Sequence, residues 1–285
     1  MIAYLATRAF GHLYRKIDCT AADVGALRKA IYGRNLSIPL GLHNLEEIVL
    51  ARPPSPPQAM AAQVRLLLSI SNWRMLLKPC GRLLADDLRA FGAGAQAPGA
   101  FLRGAMQSAV STGISELLES DGEELNDDFA EALEAARRER ATFIADLGEF
   151  VAECRTRFTP PREGAPFEEY FASRAPEAAA ALAALAGAGV ECAQRGGEAL
   201  LALRSIRMWA GAALSLACAL SAESRTLRAE EANEIAHAVT GAAAADTFVT
   251  ADPRTLAWVG RVAIDGMRAT DLKGFLTETA RPQAE

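Results

Sequence analysis

Carboxylate side chains follow two of the short apolar runs that could form strands. Glu46 and Glu47 begin a helical segment after the run at residues 36–40, and Asp252 follows the β-prone run at residues 247–250. In open α/β sheets, ligands collect at the carboxyl ends of the strands. Mg²⁺ and Mn²⁺ prefer oxygen ligands, and such an ion can activate water for a phosphoryl displacement. The pattern therefore indicates a divalent-metal site.

Two further acids lie close to the last of these runs. Glu234 lies on the helical segment that precedes the run, and Asp246 comes directly before it. Acidic residues near helix N-termini are also common because they interact favourably with the helix dipole. On spacing alone, a structural role for these acids therefore stays open beside the metal site.

Strand patterns occur only near the two ends of the chain. The candidate strands are residues 2–5, 36–40 and 247–250, with 262–264 as either the end of a helix or a closing strand. Residues 58–225 show an almost continuous helical pattern. We therefore predict an α/β domain built from residues 1–57 and 226–285, with a short parallel sheet flanked by helices. An all-helical insertion or cap would occupy residues 58–225.

Four short segments carry a resemblance to a known family. They are residues 4–9, 45–48, 232–237 and 248–252, which read YLATRA, LEEI, ANEIAH and FVTAD. Together they resemble the PIN domain, a family of Mg²⁺/Mn²⁺-dependent ribonucleases that includes many bacterial toxin–antitoxin toxins. The acids at 234 and 252 are 252 − 234 = 18 residues apart, which is typical of the toxin branch. The resemblance covers the two ends of the chain and leaves the middle without a match.

The resemblance implies a PIN-like fold and a metal-dependent endoribonuclease. Glu47, Glu234 and Asp252 would be the catalytic acids, and with Asp246 they would bind Mg²⁺ or Mn²⁺. Glu47 aligns best with the family's second acid, and Glu46 is the alternative.

Basic residues near the first motif could contact the RNA substrate. Arg8, Arg15 and Lys16 would line the RNA path, with Thr250 as a further contact, although a solvated surface is the alternative for the basic residues. The resemblance also implies an antitoxin or another protein as partner, and a homodimer by analogy with relatives.

The first motif departs from the family pattern. Ala6 stands where the family has its first Asp, and Arg8 stands where it has Asn. A methyl group cannot bind metal, and Arg8 places a positive charge near the cation. The chain is then a degenerate homologue, or carries an engineered substitution at position 6, or holds one metal through its remaining acids.

Two other functions compete with the nuclease. One is a non-catalytic PIN-fold module that binds RNA or a protein through the same groove. The other is a helical interaction protein in which the end motifs are coincidental. The arginines at 137, 138 and 140 fit a solvated helix face, and His237 fits packing beside the site.

Composition restricts the remaining classes. The net charge of −5 argues against a protein that coats nucleic acid by bulk charge, but it allows a local basic groove. Five scattered cysteines without a CxxC pair indicate neither a zinc site nor a disulfide framework, so a reducing cytoplasm is expected. The apolar stretch at residues 208–222 is shorter than a bilayer span and is predicted to be a buried helix, with no membrane partner.

Overall fold

A computed structural model of this chain describes residues 1–51, 53–161, 166–185, 192, 195–262 and 264–280. It is a mixed α/β structure in which helices flank a small parallel sheet. The strands are β1 (Ala3–Leu5), β2 (Pro39–Gly41), β3 (Asn72–Leu77), β4 (Thr247–Thr250) and β5 (Arg268–Asp271). The helices are α1 (Thr7–Arg15), α2 (Ala21–Tyr32), α3 (Leu42–Val49), α4 (Pro57–Ser69), α5 (Cys80–Ala93), α6 (Ala105–Glu119), α7 (Asp127–Arg157), α8 (Phe167–Leu185), α9 (Gly197–Leu200), α10 (Arg204–Ala222), α11 (Ala229–Ala242), α12 (Pro253–Val259) and α13 (Leu272–Thr279).

The strands lie side by side in the order β3-β2-β1-β4-β5. β4 pairs in parallel with β1 on one side and with β5 on the other, and β2 pairs in parallel with β3. The two groups meet where Ile2 forms a parallel bridge with Ser37, and the N–H of Ala3 donates to the Ser37 carbonyl at 2.9 Å. The winding reverses between β1 and β4, so the carboxyl ends of these two strands border the crevice where such sheets bind ligands.

The prediction of an all-helical segment at residues 58–225 was wrong at β3. The six residues of β3 read NWRMLL, and only the last two are buried. This short run has no clean alternation, so periodicity does not separate it from the helices around it. Its pairing with β2, which is distant in sequence, makes it a strand. Near the C-terminal end of the sequence, the last strand is β5 at residues 268–271 and not the candidate strand at 262–264. Residue 263 of that candidate lies outside the described residues.

Helix α7 connects the two parts of the core. Asn126 caps its N-terminus by accepting a hydrogen bond from the N–H of Phe129 at 3.2 Å. Gly113 of α6 lets α7 approach closely, since a Cβ there would lie 2.2 Å from Cβ of Phe129. The first half of α7 packs in the same apolar cluster as β1, and its second half packs around Trp209 of α10. Arg140 therefore lies where the helical region meets the end of the sheet.

Helix α10 is the one described helix that is long and apolar enough, by length and composition, to cross a bilayer. However, 72% of its most apolar window is buried inside the protein. It packs against α7, α8 and α11. Such burial is typical of the core helix of a soluble protein, and the prediction of a buried helix at residues 208–222 is confirmed.

Candidate functional site

A cleft of about 620 Å³ opens at the carboxyl end of the sheet, with walls from α1, α3, α7 and α11. It is lined by Thr7, Arg8, Gly11, Arg15, Glu46, Glu47, Leu50, Ala51, Arg137, Arg140, Glu230, Asn233, Glu234 and His237. Four arginines therefore face four glutamates in this lining. Of the predicted site residues, the structure brings Arg8, Arg15, Glu47 and Glu234 together here.

The segment that follows β1 reaches the cleft at Thr7. Ala6 is fully buried at the start of α1, where it makes no side-chain capping hydrogen bond. The next residue, Thr7, accepts a hydrogen bond at 3.0 Å from Nδ2 of Asn44, and the same amide donates to the carbonyl of Leu5 at 3.2 Å. Asn44 therefore links α3 to the end of β1, while the side chain of Ala6 offers no polar atom.

Gly41 places Asn44 at the junction of β2 and α3. Its N–H donates to Oδ1 of Asn44 at 2.9 Å. A Cβ at position 41 would lie 2.6 Å from the hydroxyl oxygen of Tyr4 and 2.9 Å from Oδ1 of Asn44. A side chain larger than hydrogen at position 41 would therefore displace two groups of the site.

Glu47 of α3 pairs with His237 of α11. Nε2 of His237 lies 3.2 Å from Oε2 of Glu47, and Nδ1 of the same ring lies 2.7 Å from the hydroxyl of Tyr4. Burial acts to raise the pKa of Glu47, but His237 and Arg140 outweigh it and lower the pKa to about 2. Burial acts to lower the pKa of His237, but Glu47 outweighs it and the pKa is raised. Both directions are those of a buried ion pair.

Arg140 enters the cleft from the middle of α7. Its Nη1 donates to Oε1 of Glu47 at 3.0 Å and to Oδ1 of Asn233 at 2.7 Å, and its Nη2 donates to Oε1 of Glu46 at 2.9 Å. The side chain of Arg140 is only 14% exposed and that of Glu46 only 1%. The prediction of a solvated helix face was therefore wrong for Arg140, because α7 packs this face against α3.

Glu234 is held at the end of β4. The hydroxyl of Thr250 donates to Oε2 of Glu234 at 2.8 Å, and the N–H of Asp252 donates to Oγ1 of Thr250 at 3.0 Å. Burial raises the pKa of Glu234, and His237 only partly opposes this. Thr250 is buried, and its hydroxyl is bonded within the protein. The structure therefore does not place this hydroxyl where it could contact an RNA, contrary to the prediction.

Asp252 caps α12. Its Oδ1 accepts from the N–H of Arg254 at 3.2 Å, and its Oδ2 accepts from the hydroxyl of Thr255 at 2.9 Å. Pro253 follows at the first position of the helix, where its fixed φ is favourable. Both carboxylate oxygens of Asp252 are thus engaged by its own helix.

The predicted RNA-contact residues on α1 fall in different places. Arg8 is half exposed, and its Nη1 lies 4.0 Å from Oδ2 of Asp252. Arg15 lines the cleft, with its Nε donating to the carbonyl of Gly11 at 3.2 Å. Lys16 ends α1 in the left-handed conformation and is exposed outside the cleft lining. The structure therefore separates Lys16 from the two arginines.

Asp246 does not join the other acids. It precedes β4, and its Oδ2 accepts a hydrogen bond at 2.9 Å from the N–H of Ile2, at the start of the chain. Thr250 marks the opposite end of β4. Strand residues rise about 3.3 Å each, so roughly 13 Å of strand lies between Asp246 and Thr250. The prediction of Asp246 as a ligand beside Asp252 was wrong for this reason.

A second histidine lies behind the pair. His43 is 1% exposed, and neither ring nitrogen has a partner among the described residues. Its ring centroid lies 6.0 Å from that of His237. Burial, and then the positive charge on His237, lower the pKa of His43 to about 3. His43 is therefore neutral at neutral pH, whereas the pKa of His237 is shifted in the opposite direction.

The side chains present do not fit a divalent-metal centre. In the part of the chain that the structure describes, no group of three or more His, Cys, Asp or Glu side chains is placed to hold a metal ion. Position 6 offers a methyl group, Arg140 and His237 already neutralise Glu47, and Asp252 caps a helix. A cation would have to compete with a tethered guanidinium for the same oxygens.

Sequence reasoning missed several residues that shape this site. Arg140, Asn44, Tyr4 and Thr7 make its central hydrogen bonds, and His43 packs behind them. Thr7 and Asn44 lie inside or beside the segments matched to the PIN motifs, which was a usable signal. For Arg140 the signal was its spacing, because it lies four residues after Ala136 and three before Phe143, on the stripe of α7 whose apolar residues are buried.

Comparisons with known proteins find no matching family model, curated protein or solved structure for this sequence.

Proposed function

We propose that this chain is a PIN-like protein that binds RNA at the cleft without metal-dependent cleavage. Support for the PIN-like assignment comes from the parallel sheet and from Glu47 and Glu234, which reach one cleft at its carboxyl end. A reducing, cytoplasmic location fits the same proposal, as does an antitoxin-like or identical partner chain. The location is an expectation from the cysteine pattern, and the partner chain is an expectation from the resemblance.

One observation carries the non-catalytic part of the proposal. The guanidinium of Arg140 contacts both Glu46 and Glu47, and so supplies the positive charge that a divalent ion would bring. Guanidinium binds carboxylates through fixed, directional hydrogen bonds and is always charged. Ala6 leaves the site without the first metal ligand of the family pattern, and Arg140 neutralises the charge of the second, Glu47.

RNA is the ligand that the remaining charge favours. Arg8 and Arg15 lie about two turns apart on the cleft side of α1, and Arg8 is half exposed. Arginine side chains match phosphate oxygens in geometry and charge. The glutamates of the cleft repel a phosphate only in part, since Arg140 pairs with Glu46 and Glu47. A short stretch of backbone phosphate can therefore bind along α1.

The proposal is tested by fluorescence anisotropy with a labelled single-stranded RNA of about twelve nucleotides, at several salt concentrations. We expect salt-dependent binding that is unchanged by EDTA. The double variant Arg8→Ala/Arg15→Ala should bind about tenfold or more weakly and with a smaller salt slope. Lys16→Ala is the matched control, because it removes a positive charge next to α1 but outside the cleft. Absence of binding at low salt, or an equal loss with Lys16→Ala, would exclude the proposal.

A second candidate is the metal-dependent ribonuclease, which is favoured by the approach of Glu47 and Glu234 within one cleft. It is tested by Ala6→Asp, which restores the acid of the first motif. If this variant cleaves RNA with Mn²⁺ and loses cleavage on Glu47→Gln, the site is a disabled nuclease centre. If Ala6→Asp folds but neither cleaves nor binds Mn²⁺ by calorimetry, the nuclease candidate is excluded.

A further inference from the structure

A shallow notch of about 40 Å³ adjoins the cleft along α1. Its walls come from α1, α3 and α4. Thr7 and Gly11 line both the notch and the cleft, so the two depressions are continuous. The notch is far smaller than a site that encloses a small molecule. A ligand could therefore insert only one edge there, with the rest of it at the protein surface.

The side chains of α1 form a basic row beside an aromatic residue. Arg8 and Arg15 project within about 20° of each other on the helix, and Tyr14 lies about 100° from Arg15. Gly11 falls between them, about 40° from Arg15 and about 60° from Tyr14. Because Gly11 has no side chain, nothing at this turn of α1 separates the basic row from Tyr14.

Arg15 extends over Gly11. Its Nε donates to the carbonyl of Gly11 at 3.2 Å, and its Nη2 lies 3.6 Å from the place that a Cβ at position 11 would take. Neither Nη atom has a hydrogen-bond partner among the described residues. Both Nη groups are therefore available to a phosphate at the border between the cleft and the notch.

Two side chains of the notch can be reached from solvent. Tyr14 is 37% exposed, whereas Phe10 and Ile48 of the same notch are only 4% and 7% exposed. Gln63 of α4 is partly buried, and its amide has no hydrogen-bond partner among the described residues. This amide is not one of the buried unpaired groups, so water or a ligand can reach it. An amide can both donate and accept, which suits the edge of a nucleic-acid base.

We infer that the notch receives one unpaired base of the RNA, which contacts the ring of Tyr14 and is hydrogen-bonded at its edge by Gln63. The inference rests on the proposed RNA binding and assigns single strands as the substrate class. In single-strand complexes a basic groove follows the backbone while the bases stack on aromatic side chains. Arg15, which borders Gly11, holds the phosphate next to that base. A base inside a duplex is already paired and stacked, so it cannot enter the notch.

The test compares the binding of the full-length protein to the labelled single-stranded RNA with its binding to an abasic strand of the same length. The two strands carry the same phosphates, so both offer the same charge to Arg8 and Arg15. We expect the RNA to bind about fivefold or more tightly than the abasic strand, the contribution of one stacked base. Equal binding would overturn this inference and leave the phosphate contacts of the proposed function in place. Absence of binding to either strand would exclude both.

Variants locate the base on the protein. Tyr14→Ala should weaken RNA binding about fivefold or more and leave binding of the abasic strand unchanged, whereas Tyr14→Phe keeps the ring and should retain both. Gln63→Ala should weaken RNA binding about threefold, as expected for one hydrogen bond. Tyr32→Ala is the matched control, because Tyr32 is 79% exposed on α2 and lies outside both the cleft and the notch. If Tyr14→Ala fails to fold, Gln63→Ala and the abasic comparison decide the result.

Two further outcomes would contradict the inference. One is full RNA affinity in the folded Tyr14→Ala variant, or a loss that Tyr32→Ala reproduces. The other is a dimer in analytical ultracentrifugation that Tyr14→Ala dissociates, which would assign the notch to a second copy of the chain.

Discussion

Nε2 of His237 lies 3.2 Å from Oε2 of Glu47, which joins α11 to α3 across the carboxyl end of the sheet. His237 is 1% exposed and the side chain of Glu47 is 17% exposed, so water screens their interaction only weakly. Such a pair makes the stability of the fold depend on pH in a direction that can be worked out from the two pKa shifts.

The pair should stabilise the fold most between about pH 4.5 and pH 6.5, the ordinary pKa values of the two groups. The pKa of Glu47 is lowered in the folded state, so its contribution is present above the unfolded pKa and is lost as pH falls towards 2. The pKa of His237 is raised, so its contribution is present below pH 6.5 and is lost as pH rises through the folded value. Urea unfolding of the wild type and Glu47→Gln should give a stability difference that is largest in this window. A difference independent of pH would contradict the ion pair.

His43 should make the protein sensitive to acid. Its pKa is lowered to about 3, so the unfolded chain binds a proton that folded His43 does not, and stability falls as pH drops below 6.5. The slope from this residue is roughly 1.4 kcal/mol per pH unit. His43→Leu, which keeps the volume and removes the titrating ring, should flatten the unfolding free energy between about pH 6.5 and pH 4. An unchanged slope would show that His43 is not neutral in the folded protein.

Removal of Arg140 should leave a buried charge without its partner. Arg140→Gln is expected to lower the free energy of unfolding by roughly 3–5 kcal/mol, the usual result of breaking a buried ion pair from one side. Arg137 is the matched control: its side chain is 24% exposed and lies 3.8 Å from Glu46, so Arg137→Gln should cost about 1 kcal/mol or less. The double variant Glu46→Gln/Arg140→Gln should regain part of the loss, because it removes the uncompensated carboxylate. No recovery in the double variant would mean that Arg140 acts by packing alone.

Asp252 should behave as a helix cap. Asp252→Ala is expected to cost about 1 kcal/mol of stability, while Asp252→Asn should cost only a few tenths, since Asn caps helices nearly as well. Both variants should retain RNA binding if the cleft acts without metal. Chemical denaturation and the anisotropy assay together check this. Loss of a Mn²⁺-dependent activity in Asp252→Asn would instead favour the nuclease candidate.

The sequence by itself determined those elements that depend only on interactions between residues close together in the chain. Thr20 and Asp23 form a capping box at the start of α2, with Thr20 accepting from the N–H of Asp23 at 3.3 Å and Asp23 accepting from the N–H of Thr20 at 2.7 Å. Strands β1 and β4 lie in the predicted runs 2–5 and 247–250, whereas β2 only overlaps the predicted run 36–40. These features arise from hydrogen bonds and steric preferences within a few residues, which the sequence displays directly.

Only the tertiary structure decided which charges share a site. Arg140 lies 93 residues from Glu47 in the chain, and its place on the buried stripe of α7 predicts burial but not the partner that it contacts. Asp246 and Asp252 are close in sequence, yet β4 places them at opposite ends of the sheet. Burial and pairing of a charge depend on which helix faces pack together, and that is a property of the whole fold. Local sequence therefore predicted two acids of the cleft, Glu47 and Glu234, whereas packing supplied Arg140, which pairs with Glu46 and Glu47.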